Sequence, residues 1–173
     1  MSGVYVIAEI EGALGERIRL LQQQFDPKMA AELPPHVTLI GSSGAGPISP
    51  DTSVDTLRRA IEPVAASTPP LDLRFGRPTR FLQREIVVLP LDPHGPLRVL
   101  HEKLKQAGLS FATARWPYTP HCTLSFYPTL TEDSLRRMLA VRVDEPWELC
   151  TLRVYHSREL HAPRLLFEAS LAG

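Results

Sequence analysis

Two copies of one short string lie 85 positions apart in this chain, Pro35-His36-Val37-Thr38-Leu39 and Pro120-His121-Cys122-Thr123-Leu124. In each copy the residues after the proline alternate in character and are rich in β-branched or apolar types, the pattern of a half-buried strand. Strand period then sets the geometry. Side chains at i and i+2 share a face, so His36 lies beside Thr38 and His121 beside Thr123. Val37 with Leu39, and Cys122 with Leu124, point the other way into a core. Each strand therefore presents one imidazole and one hydroxyl together. A hydroxyl can donate to a phosphate oxygen, and an imidazole is the side chain best able to exchange a proton near neutral pH. Two such pairs point to an acid and a base.

The elements around the two strings repeat as well. Val4 to Ile10 reads as a strand, and Leu14, Ile18, Leu21 and Phe25 form the stripe of an amphipathic helix. The first motif strand follows near Pro35 to Gly41. A Gly/Ser/Pro loop over 41–50 leads to a helix capped near Asp51 or Thr52 and stopping near Pro63, then a strand from Leu71 to Phe75. The second half replays this order. A strand from Glu85 to Leu91 precedes a helix through Leu97, Leu100 and Leu104 that ends at Gly108; the motif strand Thr119 to Phe126 comes next. A helix from Thr131, a strand from Trp147 to His156 and a last strand from Arg164 to Leu171 complete the chain. The expected fold is α+β, a single bilobal domain over residues 1–173. It is built from two pseudo-symmetric β-α-β-α-β units, about 1–80 and 81–173, whose antiparallel-rich sheets line a central cleft. The Pro-rich stretch Ser67-Thr68-Pro69-Pro70 is not read as a domain linker, because each half would then carry half a site.

Composition narrows the partners. At 173 residues and 43% hydrophobic the chain suits one well-packed domain, and nineteen basic residues balance nineteen acidic ones. No overall field would draw it to duplex DNA or an anionic membrane. Sixteen of the cations are arginine, a bias that phosphate binding or a GC-rich genome would equally produce. The N-terminal stretch has no signal-peptide pattern, and no apolar run approaches the roughly 20 residues of a membrane span. A soluble, cytoplasmic monomer is expected. Cys122 and Cys150 make no disulfide framework and read as reduced core residues. His94, His101, His156 and His161 are not spaced as metal ligands and read as surface or helix residues. Neither a metal nor a cofactor is expected.

Paired H-x-T strands at this separation, each entered through proline and followed by leucine, resemble those of the two-histidine phosphoesterase superfamily. Its members include 2'-5' RNA ligase-like proteins and cyclic nucleotide phosphodiesterases. The likeness extends to Ile86-Val87-Val88-Leu89-Pro90-Leu91 with Leu97, Leu100, His101 and Leu104 after it, to the aromatic Tyr118 before Pro-His, and to Leu152-Arg153-Val154-Tyr155-His156-Ser157. The resemblance implies metal-independent phosphodiester chemistry in a cleft, with catalytic His36 and His121 and phosphate-binding Thr38 and Thr123. By analogy His121 is the base and His36 the acid, an assignment that near-symmetry leaves open. The expected substrate is a 2',3'-cyclic phosphate or 2'-5' linkage in an RNA end or small nucleotide, hydrolysed or reversibly ligated. The alternative is a non-catalytic module that binds the same ligands.

Other residues carry two readings. Arg74, Arg77, Arg80 and Arg84, interleaved with Phe75 and Phe81, form either an RNA rim or a solvated hairpin whose phenylalanines pack inward. Arg115, Trp116 and Tyr118 approach the second motif, Tyr118 as a base-stacking wall or as core. The loop over 41–46 lacks the P-loop ending and reads as a flexible loop beside the cleft. Arg153 and Tyr155 share a strand face, and a border to substrate is not the favoured reading for them.

Overall fold

The computed structural model describes residues 2–81, 84–126, 130–157 and 162–173; His161 lies outside them. Nine strands and five helices occur among the described residues. The chain runs β1 (Gly3–Glu9), α1 (Gly12–Phe25), α2 (Pro27–Glu32), β2 (His36–Ile40), α3 (Val54–Ala66), β3 (Leu71–Leu73) and β4 (Thr79–Arg80). It continues β5 (Val87–Pro90), α4 (Pro96–Lys105), β6 (His121–Ser125), α5 (Glu132–Ala140), β7 (Trp147–Leu149), β8 (Thr151–Ser157) and β9 (Arg164–Ser170). Seven strands form one sheet in the order β4-β5-β6-β2-β1-β8-β9, and β3 pairs with β7 in a separate two-stranded ribbon. All of these pairings are antiparallel. This is the expected α+β domain, with the two motif strands adjacent at the centre of the sheet.

The two halves interleave in space. Strands β8 and β9, from the second half, extend the sheet beyond β1, and the β3–β7 ribbon takes one strand from each half. Helices cross over too: α1 packs on β6, while α4 packs on β2. Each motif strand is thus supported by a helix from the other half. Gln22 of α1 donates its side-chain amide to the Thr123 carbonyl at 2.7 Å, and His101 of α4 donates through Nδ1 to the Leu39 carbonyl at 2.7 Å.

Alternation along the strands separates a core face from a cleft face. Val4, Val6 and Ala8 of β1, Val37 and Leu39 of β2, Leu89 of β5, Cys122 and Leu124 of β6, and Leu152 and Val154 of β8 are all buried. Dry apolar contact on this scale is the main favourable contribution to folding. Burial raises the Cys122 thiol to about 12, as suits an inert core cysteine, whereas Cys150 is exposed, against the core reading of both. Four further features depart from the sequence reading. Helix α3 begins after Ser53, whose hydroxyl accepts from the Thr56 amide at 3.2 Å, and it runs through Pro63 to Ala66. A proline so near the end forfeits one backbone bond, and the Ser67 amide still reaches the Pro63 carbonyl at 3.1 Å. The expected 147–156 strand is divided at Cys150 into β7 and β8. Helix α2 has no apolar stripe to announce it; it forms because buried Asp26 accepts from the Met29 amide at 3.0 Å and Pro27 opens the first turn.

The fourth concerns the loop over 41–50, which is packed rather than free. Ile48 is 1% exposed and pairs with both Val4 and Phe111, stitching β1 to the segment before the second motif. At Gly44, φ is +71° and an added Cβ would lie 2.3 Å from the His101 ring nitrogen Nε2, so both backbone and space require glycine. His101 itself is fully buried and stacks on Tyr118 with ring centroids 3.9 Å apart and planes 7° apart. It is a core residue, and His156 is buried on the core face of β8; neither is at the surface.

Ile48→Ala is expected to lower unfolding free energy by about 2–5 kcal/mol in urea denaturation. A cost near zero would restore the free-loop reading. Burial lowers the affinity of the His101 imidazole for a proton, partly offset by its bond to the Leu39 carbonyl. The unfolded chain therefore binds that proton first as pH falls below about 6.5, and stability drops with it. Denaturation midpoints at pH 7.5 and 5.0 should show the loss, and His101→Gln should reduce the slope between them.

Candidate active site

Register determines what meets what on the cleft face. Strands β2 and β6 pair antiparallel through Val37 and Cys122. One residue outward on either side, that register sets His36 across from Thr123 and Thr38 across from His121. All four are half-buried, unlike their core-facing neighbours. Each imidazole of one motif thus lies beside the hydroxyl of the other, and two imidazoles and two hydroxyls share one patch of sheet.

The same device orients both rings. His36 donates from Nδ1 to the Pro34 carbonyl at 2.8 Å, and His121 donates from Nδ1 to the Thr119 carbonyl at 2.7 Å. A carbonyl can only accept, so Nδ1 carries the hydrogen in each ring and Nε2 is the nitrogen that gains or loses a proton. Burial lowers the proton affinity of His36, countered by its bond to Pro34 and by the charge of Glu9. Burial lowers that of His121 too, countered by its bond to Thr119, and the charge of His36 lowers it further. The two rings are thus close enough to interact electrostatically.

His36 and Thr123 open onto a cleft of about 240 Å³ walled by Met29, Leu33 and Phe126, with Glu32 among its lining residues. The wall is held by Asp26, whose second carboxylate oxygen accepts from the Phe126 amide at 2.8 Å and so ties the end of β6 to the α1–α2 corner. On the other side Phe81 meets the His121 ring edge-on, with centroids 5.0 Å apart and planes at 85°.

The remaining expected rim residues divide. Phe75 stacks on Trp147 at 6.0 Å, away from the motifs, so of the two interleaved aromatics only Phe81 reaches the site. Arg84 is exposed, its carbonyl accepting from Arg80 Nε at 2.9 Å in the turn after β4. Arg115 is exposed on the loop leading to the second motif. Tyr118 is 3% exposed, with its ring against His101 and its hydroxyl buried; this core position corrects its reading as a base-stacking wall.

The alternation arguments did not single out Glu9. It pairs with His36 across β1 and β2, and its carboxylate accepts from the Tyr155 hydroxyl at 2.6 Å and from Arg153 at 2.5 Å. Arg153 also holds Glu11 at 2.7 Å and Glu168 at 2.6 Å. Among the described residues no cluster of three or more His, Cys, Asp or Glu side chains is arranged to hold a metal ion, and no helix is long and apolar enough to cross a membrane.

Known proteins match this architecture. The crystal structure of TT0787 from Thermus thermophilus aligns with a TM-score of 0.72 at 16% identity, covering 100% of this chain and 99% of that one. E. coli LigT complexed with NADP+ aligns with a TM-score of 0.60 at 17% identity over 99% and 98% of the two chains. LigT complexed with 3'-AMP gives 0.61 at 16% identity over 99% of each. At such identities the likeness is one of fold. No curated protein matches the chain. The family model of the 2'-5' RNA ligase superfamily, in contrast, matches residues 9–159, which spans both H-x-T strands and Glu9, and the chain belongs to that superfamily.

Proposed function

We propose that the protein is a metal-independent phosphoesterase that opens 2',3'-cyclic phosphates or 2'-5' phosphodiester linkages in RNA ends or small nucleotides, or forms such linkages in reverse. The observation that carries this reading is the crossed register in which each motif histidine lies opposite the other motif's threonine. A phosphoryl group above that patch would meet an imidazole on either side and a hydroxyl beside each. Hydrolysis needs a base for the attacking water, an acid for the departing ribose oxygen and donors for the non-bridging oxygens. His121 takes the water proton on Nε2, His36 supplies a proton from Nε2 to the leaving oxygen, and Thr38 and Thr123 donate to phosphate. With a ribose hydroxyl in place of water, the reverse reaction joins two ends.

The surroundings support a nucleotide. The apolar wall of Met29, Leu33 and Phe126 beside His36 can pack against a base, and the Phe81 ring beside His121 can do the same on the other side. Arg84, whose amide reaches the Phe81 carbonyl at 3.1 Å, is an exposed cation on that flank, available to further phosphates of an RNA end, and Arg115 is exposed on the loop before β6. The fold relative E. coli LigT has been crystallised with NADP+ and with 3'-AMP, which is consistent with small nucleotide ligands here.

Incubation with a panel of 2',3'-cyclic nucleotides and 2'-5'-linked dinucleotides, with products identified by phosphorus NMR, should yield an opened monophosphate from at least one. Tight binding without any product would establish a binding module instead. Activity should survive exhaustive EDTA treatment; loss in EDTA, restored by one divalent ion, would contradict the mechanism. His36→Ala and His121→Ala should each slow turnover by roughly 10² to 10⁴-fold. Their combination should be little worse than the poorer single variant, since both serve one transition state. Thr38→Ala and Thr123→Ala should each cost on the order of 10² to 10³-fold at unchanged melting temperature. Parent rates in both threonine variants would remove the hydroxyls from the phosphate site.

A further inference from the structure

The two motifs match each other, but their outer neighbours do not. Toward β1, His36 pairs with Glu9 and Thr38 with Ile7. Toward β5, His121 pairs with Pro90 and Thr123 with Val88. The pseudo-symmetric partner of a carboxylate is therefore a proline, and the Phe81 ring adds a second apolar neighbour to His121. Directly paired residues on one sheet face have Cβ atoms about 4.5–5.5 Å apart, so Glu9 stands beside His36 and on the far side of it from His121.

Glu9 is also held in place. Its side chain is 13% exposed and fastened by Tyr155 and Arg153 on the next strand, β8. Burial and the bond to Glu9 push the Tyr155 hydroxyl up to about 12, so it remains a donor throughout the working pH range. Burial alone would weaken the hold of Arg153 on its proton, but its bonds to Glu168 and Glu11 and the charge of Glu9 more than offset this. Three carboxylates meet one guanidinium, which leaves the β1–β8–β9 side of the cleft with excess negative charge. The opposite flank carries the exposed Arg80 and Arg84.

The geometry points to Glu9 as the positioning residue that breaks the pseudo-symmetry of the site, making His36 the proton donor and leaving His121 the base. The assignment rests on the phosphoesterase reading for its catalytic meaning. A carboxylate beside an imidazole stabilises the imidazolium, the form an acid needs before the reaction. An imidazole flanked by proline and phenylalanine, with a second imidazolium nearby, is favoured in the neutral form a base needs. Burial lowers the proton affinity of both rings, but the neighbouring charges act in opposite directions: Glu9 raises that of His36 against the larger effect of burial, and His36 lowers that of His121 further. Other charges around His36 are His121 from β6 and, from α2, Glu32, which lines the same cleft.

Histidine ring protons titrated by NMR in the intact protein test this without any substrate, with assignments from His36→Gln and His121→Gln spectra. Glu9→Gln should lower the His36 midpoint by about one pH unit and move His121 less than half as far. Glu32→Gln should move His36 less than Glu9→Gln does. On the best cyclic phosphate, the pH profile of kcat/KM should be bell-shaped, and Glu9→Gln should draw its alkaline limb to lower pH while the acid limb stays. An unmoved His36, an equal effect of Glu32→Gln, or a displaced acid limb would each overturn the assignment. If Glu9→Gln fails to fold, the paired replacement Glu9→Met with Arg153→Met removes the buried carboxylate without stranding its guanidinium and should still lower the His36 midpoint, by less than one pH unit because the opposing Arg153 charge is lost with it. Should no substrate turn over, the titration still decides the role of Glu9, and it is the phosphoesterase reading that fails.

Discussion

Strands β2 and β6 touch through one paired position, Val37 with Cys122, and the geometry of the site depends on it. Both residues are buried on the core face, so the hydrophobic effect that seats them also turns His36, Thr38, His121 and Thr123 to the cleft. A slip of one residue in either strand would send one motif's imidazole and hydroxyl into the core, where neither finds the partners it needs. Support for this pairing comes from each side in mirror fashion, since α1 braces β6 and α4 braces β2. Register specified by burial thus becomes chemistry specified by register.

Within that near-symmetric frame the differences carry the direction of proton flow. Both rings are oriented by the same bond from Nδ1 to a carbonyl two residues back, so orientation cannot tell acid from base. The distinction enters from the neighbouring strands, a carboxylate anchored by Arg153 and Tyr155 on one side, a proline and a phenylalanine on the other. Duplication can supply two equivalent imidazoles, and the residues beside them can then make the two unequal.

Much of this was legible in the residues because two periodicities speak plainly. The period of two in His36–Ile40 and His121–Ser125 set both strands and the face of each functional group, and the apolar stripe through Leu14, Ile18, Leu21 and Phe25 located α1. Features fixed by a single long-range contact were not legible. Ile48 reads locally as part of a Gly/Ser/Pro loop, and only its pairing with Val4 and Phe111 makes it core; Asp26 caps α2 locally, but its second bond, from the Phe126 amide, lies 100 residues away. Tyr118 sits near the second motif in sequence yet turns into the core against His101. The role of Glu9 depends on its cross-strand partner His36, far along the chain, which no local pattern reveals.

The central claim is that the two motifs converge on a single phosphoryl group. A crystal structure with a nucleoside vanadate, which mimics the five-coordinate phosphorus of the transition state, tests it most directly. The account predicts vanadate bound between the strands, with His36 Nε2 and His121 Nε2 on opposite sides of the metal oxide and both threonine hydroxyls within hydrogen-bond distance of its equatorial oxygens. Vanadate held by one motif alone, with the other histidine beyond reach of any oxygen, would contradict it.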